Sequence, residues 1–557
     1  MLTRALLLVV ALPSLAAEVS PEVQIALTSL RDGERARVEA ALGSAAELPL
    51  YRGDFTLDPE KGRARGQVAL TLFASPGRAL RLRVTPNAAH PGAVVLSKVK
   101  VNGAPVAVEA SGSLFTVALP DGAALPLTVE LSLEARVPAL PDAAPLSGSG
   151  AAGDYGAFSS TTDALSLVGL MPLVAPEGFG APSGLGDLGT TSPSNFLVSV
   201  TAPTPWRVVA NGQAVGEVPT GKGQTRFAYT VAAARDFPVV ALKQPQVSTK
   251  KVSGVEIEAV LLSTDARHGA KVLRHTGELL QAYERRLGPY PYKTLRVVEQ
   301  RLVSSAGGME FPGLVTVSAL LLSGRADPLA ALGLGGGDAK MMKQLLGPLL
   351  DPLMAQTLEF TLAHELAHQY VGMLVGSDPV LEPIADEPLT QHLALLGLEW
   401  TSGAAAAKAM REGQVQGAYQ LHRMMGGADG PAERPTGAYG SNQEYAALMY
   451  GKAPLLFDAL RKLEGKERWE QLLRRYLDAN RYRWVSASTF TDLVAAESKR
   501  PREVAALRQR WWGEAHGDED LGGLNLSGMQ LGGGGQLQLD PAMLKQLEEM
   551  MKMLGGE

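Results

Sequence analysis

Near Ser253 the hydrophobic repeat of this chain changes period, and that change restricts the folds open to it more than any other feature. From about Tyr51 to Val240, short runs such as GQVALTLFA, LTVELSLEARV, NFLVSVTA and TRFAYTVAA alternate apolar and polar residues, so each offers one apolar face as a strand. Asn102-Gly103 and Asn211-Gly212 lie between apolar runs, the strongest local signal of a hairpin turn. The region therefore reads as an antiparallel β domain, interrupted at about 139–162 by a Gly-, Ser- and Ala-rich stretch that reads as a long surface loop. After Ser253, Ala266 to Leu287 is apolar at helical spacing and TLRVVEQ reads as a strand. Gln391–Trp400, Tyr445–Leu463, Glu467–Leu477 and Thr489–Trp512 then read as helices.

A chain of 557 residues is too long for one core, so the expectation is a multidomain α+β protein. Its parts would be an N-terminal β-rich domain at 18–252, an α/β domain at 253–400 with a Gly-rich insertion at about 323–347, and C-terminal helices at 401–515. The last part, 516–557, reads as a Gly-rich tether leading to an amphipathic helix that starts at Asp540-Pro541. Met543, Leu544, Leu547, Met550, Met551 and Leu554 share one face of that helix, which suits folding back on the body or, alternatively, self-association or a partner.

Residues 1–17 carry Arg4, an apolar run from Ala5 to Leu12 and small residues at Ser14 to Ala16, the pattern of a secretory signal peptide. No later run reaches the length of a membrane span, so the expectation is an exported protein, periplasmic or extracellular, with no stable span after signal removal. A net charge of −5 gives no basic surface for nucleic acid. The chain has no cysteine, which excludes disulfides, thiolate metal sites and a cysteine nucleophile, so any metal must be held by His and carboxylate.

The sequence has one arrangement suited to that. His364-Glu365-Leu366-Ala367-His368 has the form H-E-x-x-H, which on a helix sets both imidazoles on one face, one turn apart, able to reach a single ion. With eight histidines, such a motif arises by chance in roughly 0.6% of chains of this length. A catalytic zinc takes three protein ligands and keeps a fourth position for water. Downstream candidates for the third are Asp378, Glu382, Asp386, Glu387 and His392, with Asp386 also suited to supporting a ligand.

The interval from His368 to Glu387 completes the H-E-x-x-H-x18-E pattern, and HELAHQYVG resembles H-E-x-x-H-Q-W-x-G. In these elements the chain resembles the aminopeptidase N family of gluzincin zinc metallopeptidases. Upstream, Gly307-Gly308-Met309-Glu310-Phe311-Pro312-Gly313 is similar to the family's G-x-M-E-N element, and downstream Tyr450-Gly451-Lys452-Ala453 is similar to its Y-x-K-G. The resemblance implies a thermolysin-like catalytic domain holding one Zn²⁺ on His364, His368 and Glu387, with Glu365 as general base. It further implies that Tyr450 donates a hydrogen bond to the oxyanion and that Gly307, Gly308, Met309 and Glu310 bind substrate, Glu310 taking the free α-amine. The implied partner is a peptide with a free N-terminus. A gluzincin of endopeptidase or small-molecule specificity, or a non-catalytic peptide-binding protein, are the alternatives. The chain departs from the family pattern at Pro388, Phe311 and Ala453, and in the long interval between Glu310 and His364.

Overall fold

The computed structural model describes residues 20–522 apart from 121, 141–153, 183, 187, 189, 264, 304–305 and 323–338. The expected signal peptide at 1–17, most of the expected loop at 139–162, the first part of the insertion at 323–347 and the terminal helix beyond Asp540 lie outside the described residues. Among the described residues no helix is long and apolar enough to cross a membrane.

The chain is α+β, with three sheets in its first half and helices dominating the second. Two short helices, Pro21–Leu27 and Glu34–Leu42, precede the first strand. An eight-stranded sheet follows, centred on Leu50–Asp58, Arg63–Leu72, Leu127–Arg136 and Ser194–Pro203. It departs from the purely antiparallel expectation at one pair: Leu50–Asp58 runs parallel to Ser194–Pro203, in the register Leu50 to Asn195. A parallel pair needs a long crossover, here residues 59–193, and no local pattern announces one.

The two Asn-Gly turns behave differently. Asn102 (φ 46°) and Gly103 (φ 82°) both adopt left-handed backbone and close a hairpin between Val94–Val101 and Ala104–Pro105. Asn211-Gly212 instead passes the chain from Trp206–Ala210 in one sheet to Gln213–Gly221 in another. Asn211 is fully buried and its Nδ2 donates to the Asp236 carbonyl at 2.9 Å, a tertiary contact that overrides the hairpin preference. The described end of the expected loop at 139–162 is also ordered. Phe158–Ser160 is a strand paired with Ala164–Leu167, and buried Asp154 accepts from the Gly156 and Phe158 amides.

The sheet that bears on the site has five strands, in the order Gln246–Val252, Val255–Leu261, Thr294–Gln300, Leu314–Ser318 and Gly308–Phe311. Its first hairpin straddles the change of period at Ser253. Its last strand, Gly308–Phe311, is an edge, antiparallel to Leu314–Ser318. Against this sheet lie the helix Ala266–Leu287 and a 30-residue helix, Ala339–His368, which takes in the second part of the expected insertion. The buried Tyr283 hydroxyl lies 2.8 Å from the Ala363 carbonyl and 3.1 Å from that of Leu393, so one side chain braces both helices that approach the site. Between Asn442 and Leu463 the backbone passes through a π-helical turn, Ala446–Lys452, and the span Thr489–Trp512 is broken where Pro501 opens a new helix.

Candidate active site

His364 and His368 close the helix Ala339–His368, and Glu387 opens the helix Glu387–Ser402. Pro388 is the second residue of that helix, where its missing N–H would have had no partner in any case, so the helix tolerates it. Three ligand-type atoms converge. Nε2 of His364 and Nε2 of His368 are 3.1 Å apart, and Oε2 of Glu387 lies 3.4 Å from the first and 3.5 Å from the second. Tetrahedral bonds of 2.0–2.1 Å put neighbouring ligand atoms about 3.3 Å apart, so the triangle has the size of one face of a zinc site. Among the described residues Oε2 of Glu387 is buried with no hydrogen-bond donor, as expected of an atom reserved for a cation. Among the described residues this is the one group of three or more His or carboxylate side chains that could hold a metal ion.

The surroundings orient these groups. Nδ1 of His368 lies 3.1 Å from Asp386 Oδ1, with the Val371 carbonyl and Thr390 Oγ1 each at 3.3 Å, which keeps its proton on Nδ1 and frees Nε2 for a metal. Asp386 needs room for this: a Cβ on Gly372 would fall 2.6 Å from its Oδ2, and Gly372 has φ +91°, so a glycine is required there twice over. Oε1 of Glu387 accepts the Tyr450 hydroxyl at 2.5 Å.

Electrostatically the cluster calls for a cation. Burial disfavours the charged form of His368, yet the Glu310, Asp386 and Glu387 carboxylates overcome it and raise its proton affinity well above the usual value. Burial would raise Glu387, but the imidazoles of His368 and His364 hold it well below the carboxylate range. Glu365 is pushed well above that range by burial and then by Glu310, and its Oε2 has no hydrogen-bond partner among the described residues. Four carboxylates lie around two imidazoles, an excess of negative charge that a cation held by His364, His368 and Glu387 would offset.

The GGMEFPG element lies against the metal-site helix. A Cβ on Gly307 would come 3.0 Å from Thr361 Oγ1, and one on Gly308 would run into the Glu365 carboxylate. Thr361 and Glu365 are one turn apart on the same helical face, so the glycine pair lets the edge strand run directly over the proposed base. Strand alternation turns Glu310 to the same side as Gly308, and burial, with the Glu387 and Asp386 carboxylates adding to it and His368 opposing it, raises its carboxyl to about 7. Met309 faces the other way, into a small apolar cluster with Phe311 and Leu188.

Tyr450 sits in the π-helical turn Ala446–Lys452, its ring 6.0 Å from that of His364. Lys452, two residues on, is wholly buried; its Nζ contacts Asp429 Oδ1 and the Gly430 carbonyl at 2.9 Å and the Glu514 carbonyl at 2.5 Å. It anchors the turn rather than lining the site. The remaining third-ligand candidates are elsewhere. Asp378 accepts the Val380 and Gly180 amides, and His392 is buried between Asp458 and the Trp469 indole N–H. Sequence reasoning missed Thr390, one turn into the ligand helix, and passed over Gln369 except as part of a motif.

This arrangement of sheets, helices and a His₂Glu cluster defines a chain with the fold of the M1 zinc metallopeptidases. The M1 zinc metallopeptidase of Deinococcus radiodurans superposes with a TM-score of 0.56 at 17% identity, over 84% of this chain and 94% of that one. A mutant of that enzyme bound to the substrate Tyr-Ser-Ala gives 0.57 over the same shares and at the same identity, and a two-domain M1 zinc metallopeptidase mutant bound to L-arginine gives 0.56. No protein-family profile matches the sequence, and no curated protein matches it in sequence.

Proposed function

We propose that this protein is an exported zinc aminopeptidase that removes N-terminal residues from peptides. The observation that carries the reading is the triangle of His364, His368 and Glu387 atoms, with edges of 3.1 to 3.5 Å and an unpartnered buried oxygen at one corner. Zinc bound there would supply a water acidified toward neutrality and a Lewis acid for the scissile carbonyl.

The chain's own groups do the rest. Glu365, beside the first ligand and with a free Oε2, takes the proton of the attacking water and passes it to the leaving amine. The Tyr450 hydroxyl, whose single proton points to Glu387 Oε1 here, turns it to the oxygen that gains charge as the carbonyl is attacked. The edge strand Gly308–Phe311 offers its unpaired side to an extended peptide, and Glu310 pairs with the α-ammonium, so cleavage falls one residue from the N-terminus. The Tyr-Ser-Ala substrate of the similar M1 structure supports peptides as the substrate class. The apolar run in residues 1–17 supports export.

The experiment is to measure zinc in the purified mature chain and compare aminoacyl-chromophore substrates with N-blocked ones. One zinc per chain and turnover of free-amine substrates are expected. Turnover of blocked substrates alone would remove the exopeptidase role, and no zinc with no turnover would leave a peptide-binding protein. Glu365→Gln is expected to retain zinc and lose at least about a hundredfold in kcat; near-normal turnover would sink its role as base.

A further inference from the structure

The side-chain amide of Gln369 ties the metal-site helix to the strand that carries Glu310, and the chemistry above does not use it. Gln369 directly follows His368 and is 2% exposed. Its Oε1 accepts the Gly313 amide at 2.9 Å, and its Nε2 donates to the Phe311 carbonyl at 3.0 Å. Phe311 and Gly313 flank Pro312 in the turn joining the edge strand to Leu314–Ser318, and Gly313 has φ +78°. Proline followed by a residue with positive φ makes a turn whose central N–H has no partner within the hairpin, and Gln369 supplies one.

Two bonds of opposite sense suit a carboxamide, which offers donor and acceptor at any pH. A carboxylate lacks the donor, and an apolar chain of equal length lacks both partners. The clamp therefore joins the residue after His368 to the residue after Glu310. We propose that Gln369 is a positioning residue that sets the distance between the metal cluster and Glu310, and with it the register in which a peptide's amine is measured from the scissile bond; this rests on the aminopeptidase reading. Without the clamp the turn moves relative to the helix and carries Glu310 with it. The ligands stay, because Asp386, Thr390 and Tyr450 hold them independently of this turn.

A ligand that engages metal and amine together reads this distance. Calorimetry of the zinc-loaded protein with leucine hydroxamate and with its N-acetyl form gives the affinity that the free amine adds. Wild type is expected to favour the free amine, and Gln369→Met, which removes both bonds at any pH, is expected to reduce that advantage about tenfold while zinc content and binding of the N-acetyl form stay within about twofold. An equal loss on both ligands, or an undiminished advantage, overturns the positioning role. If Gln369→Met does not fold, Gln369→Ala takes its place: a reduced ratio of the two affinities supports the role, and an unchanged ratio overturns it. Absence of any free-amine advantage in wild type would instead overturn the aminopeptidase reading, so the two failures appear in different proteins.

Discussion

The Tyr450 hydroxyl donates to Oε1 of Glu387 at 2.5 Å while Oε2 of the same carboxylate faces both histidines, so one side chain joins the candidate metal ligands to the group proposed to stabilise the oxyanion. Tyr450→Phe removes only the hydroxyl. We expect kcat to fall on the order of a hundred- to a thousandfold with KM little changed, since the bond matters most as charge develops. Steady-state kinetics with zinc content as control check this; a matching loss of zinc would move the role of Tyr450 from the reaction to the ligand.

Gly308→Ala tests how closely the edge strand passes the base. The backbone of Gly308 is not left-handed, so alanine meets no conformational penalty there, only the Glu365 carboxylate. Relief requires the strand or the base to shift, at about 1–3 kcal/mol of stability. Activity is expected to fall more than stability warrants, measured as kcat/KM beside the denaturation midpoint. Unchanged kcat/KM would mean the strand is not held against the base.

Lys452 is wholly buried and Asp429 is its charged partner at 2.9 Å. Lys452→Met leaves Asp429 buried without its counter-charge, which is expected to cost about 3–5 kcal/mol. Adding Asp429→Asn is expected to recover part of that loss. Chemical denaturation of the single and double variants decides it, and a loss in the single variant below about 1 kcal/mol would show that water reaches the pair.

Burial raises the Asp236 carboxyl to about 7, against one amide bond from Phe237 at 2.6 Å. Its folded pKa exceeds the unfolded one, so the folded state holds the extra proton. Stability is full below the unfolded pKa and is lost as pH rises toward 7, by on the order of 2–4 kcal/mol. Asp236→Asn keeps the acceptor for Phe237 and cannot ionise, so its stability between pH 5 and 8 is expected to be flatter than that of wild type. Equal slopes in urea denaturation across that range would refute the assignment.

The parts of the site that follow helical or strand periodicity were legible in the sequence. His364 and His368 had to share a face, while GGMEFPG was visible only as a motif, and its strand, which sets Gly308 and Glu310 on one side, emerged from the structure. The Ala266–Leu287 helix and the TLRVVEQ strand likewise follow their apolar spacing. What stayed hidden depends on partners distant in sequence. Lys452 meets Glu514 across 62 residues, and Gln369 meets Phe311 across 58, distances at which spacing carries no information. The parallel pair of Leu50–Asp58 with Ser194–Pro203 and the sheet change at Asn211-Gly212 were missed for the same reason. In each case a tertiary contact outweighed a local preference.

Among the described residues the strand Gly308–Phe311 leaves one side of its backbone unpaired within the sheet, beside Glu365 of the candidate site. An unpaired edge can recruit an extended chain, and proteins usually shield such edges. Here the neighbouring groups decide what such recruitment selects. A chain end bound in a helix or a folded sheet has no free amides to offer this edge, whereas an unstructured end has them. On the proposed function the protein would thus sort its substrates by conformation before side chains matter, acting on loose or unfolded N-termini and passing over folded neighbours that carry the same residues.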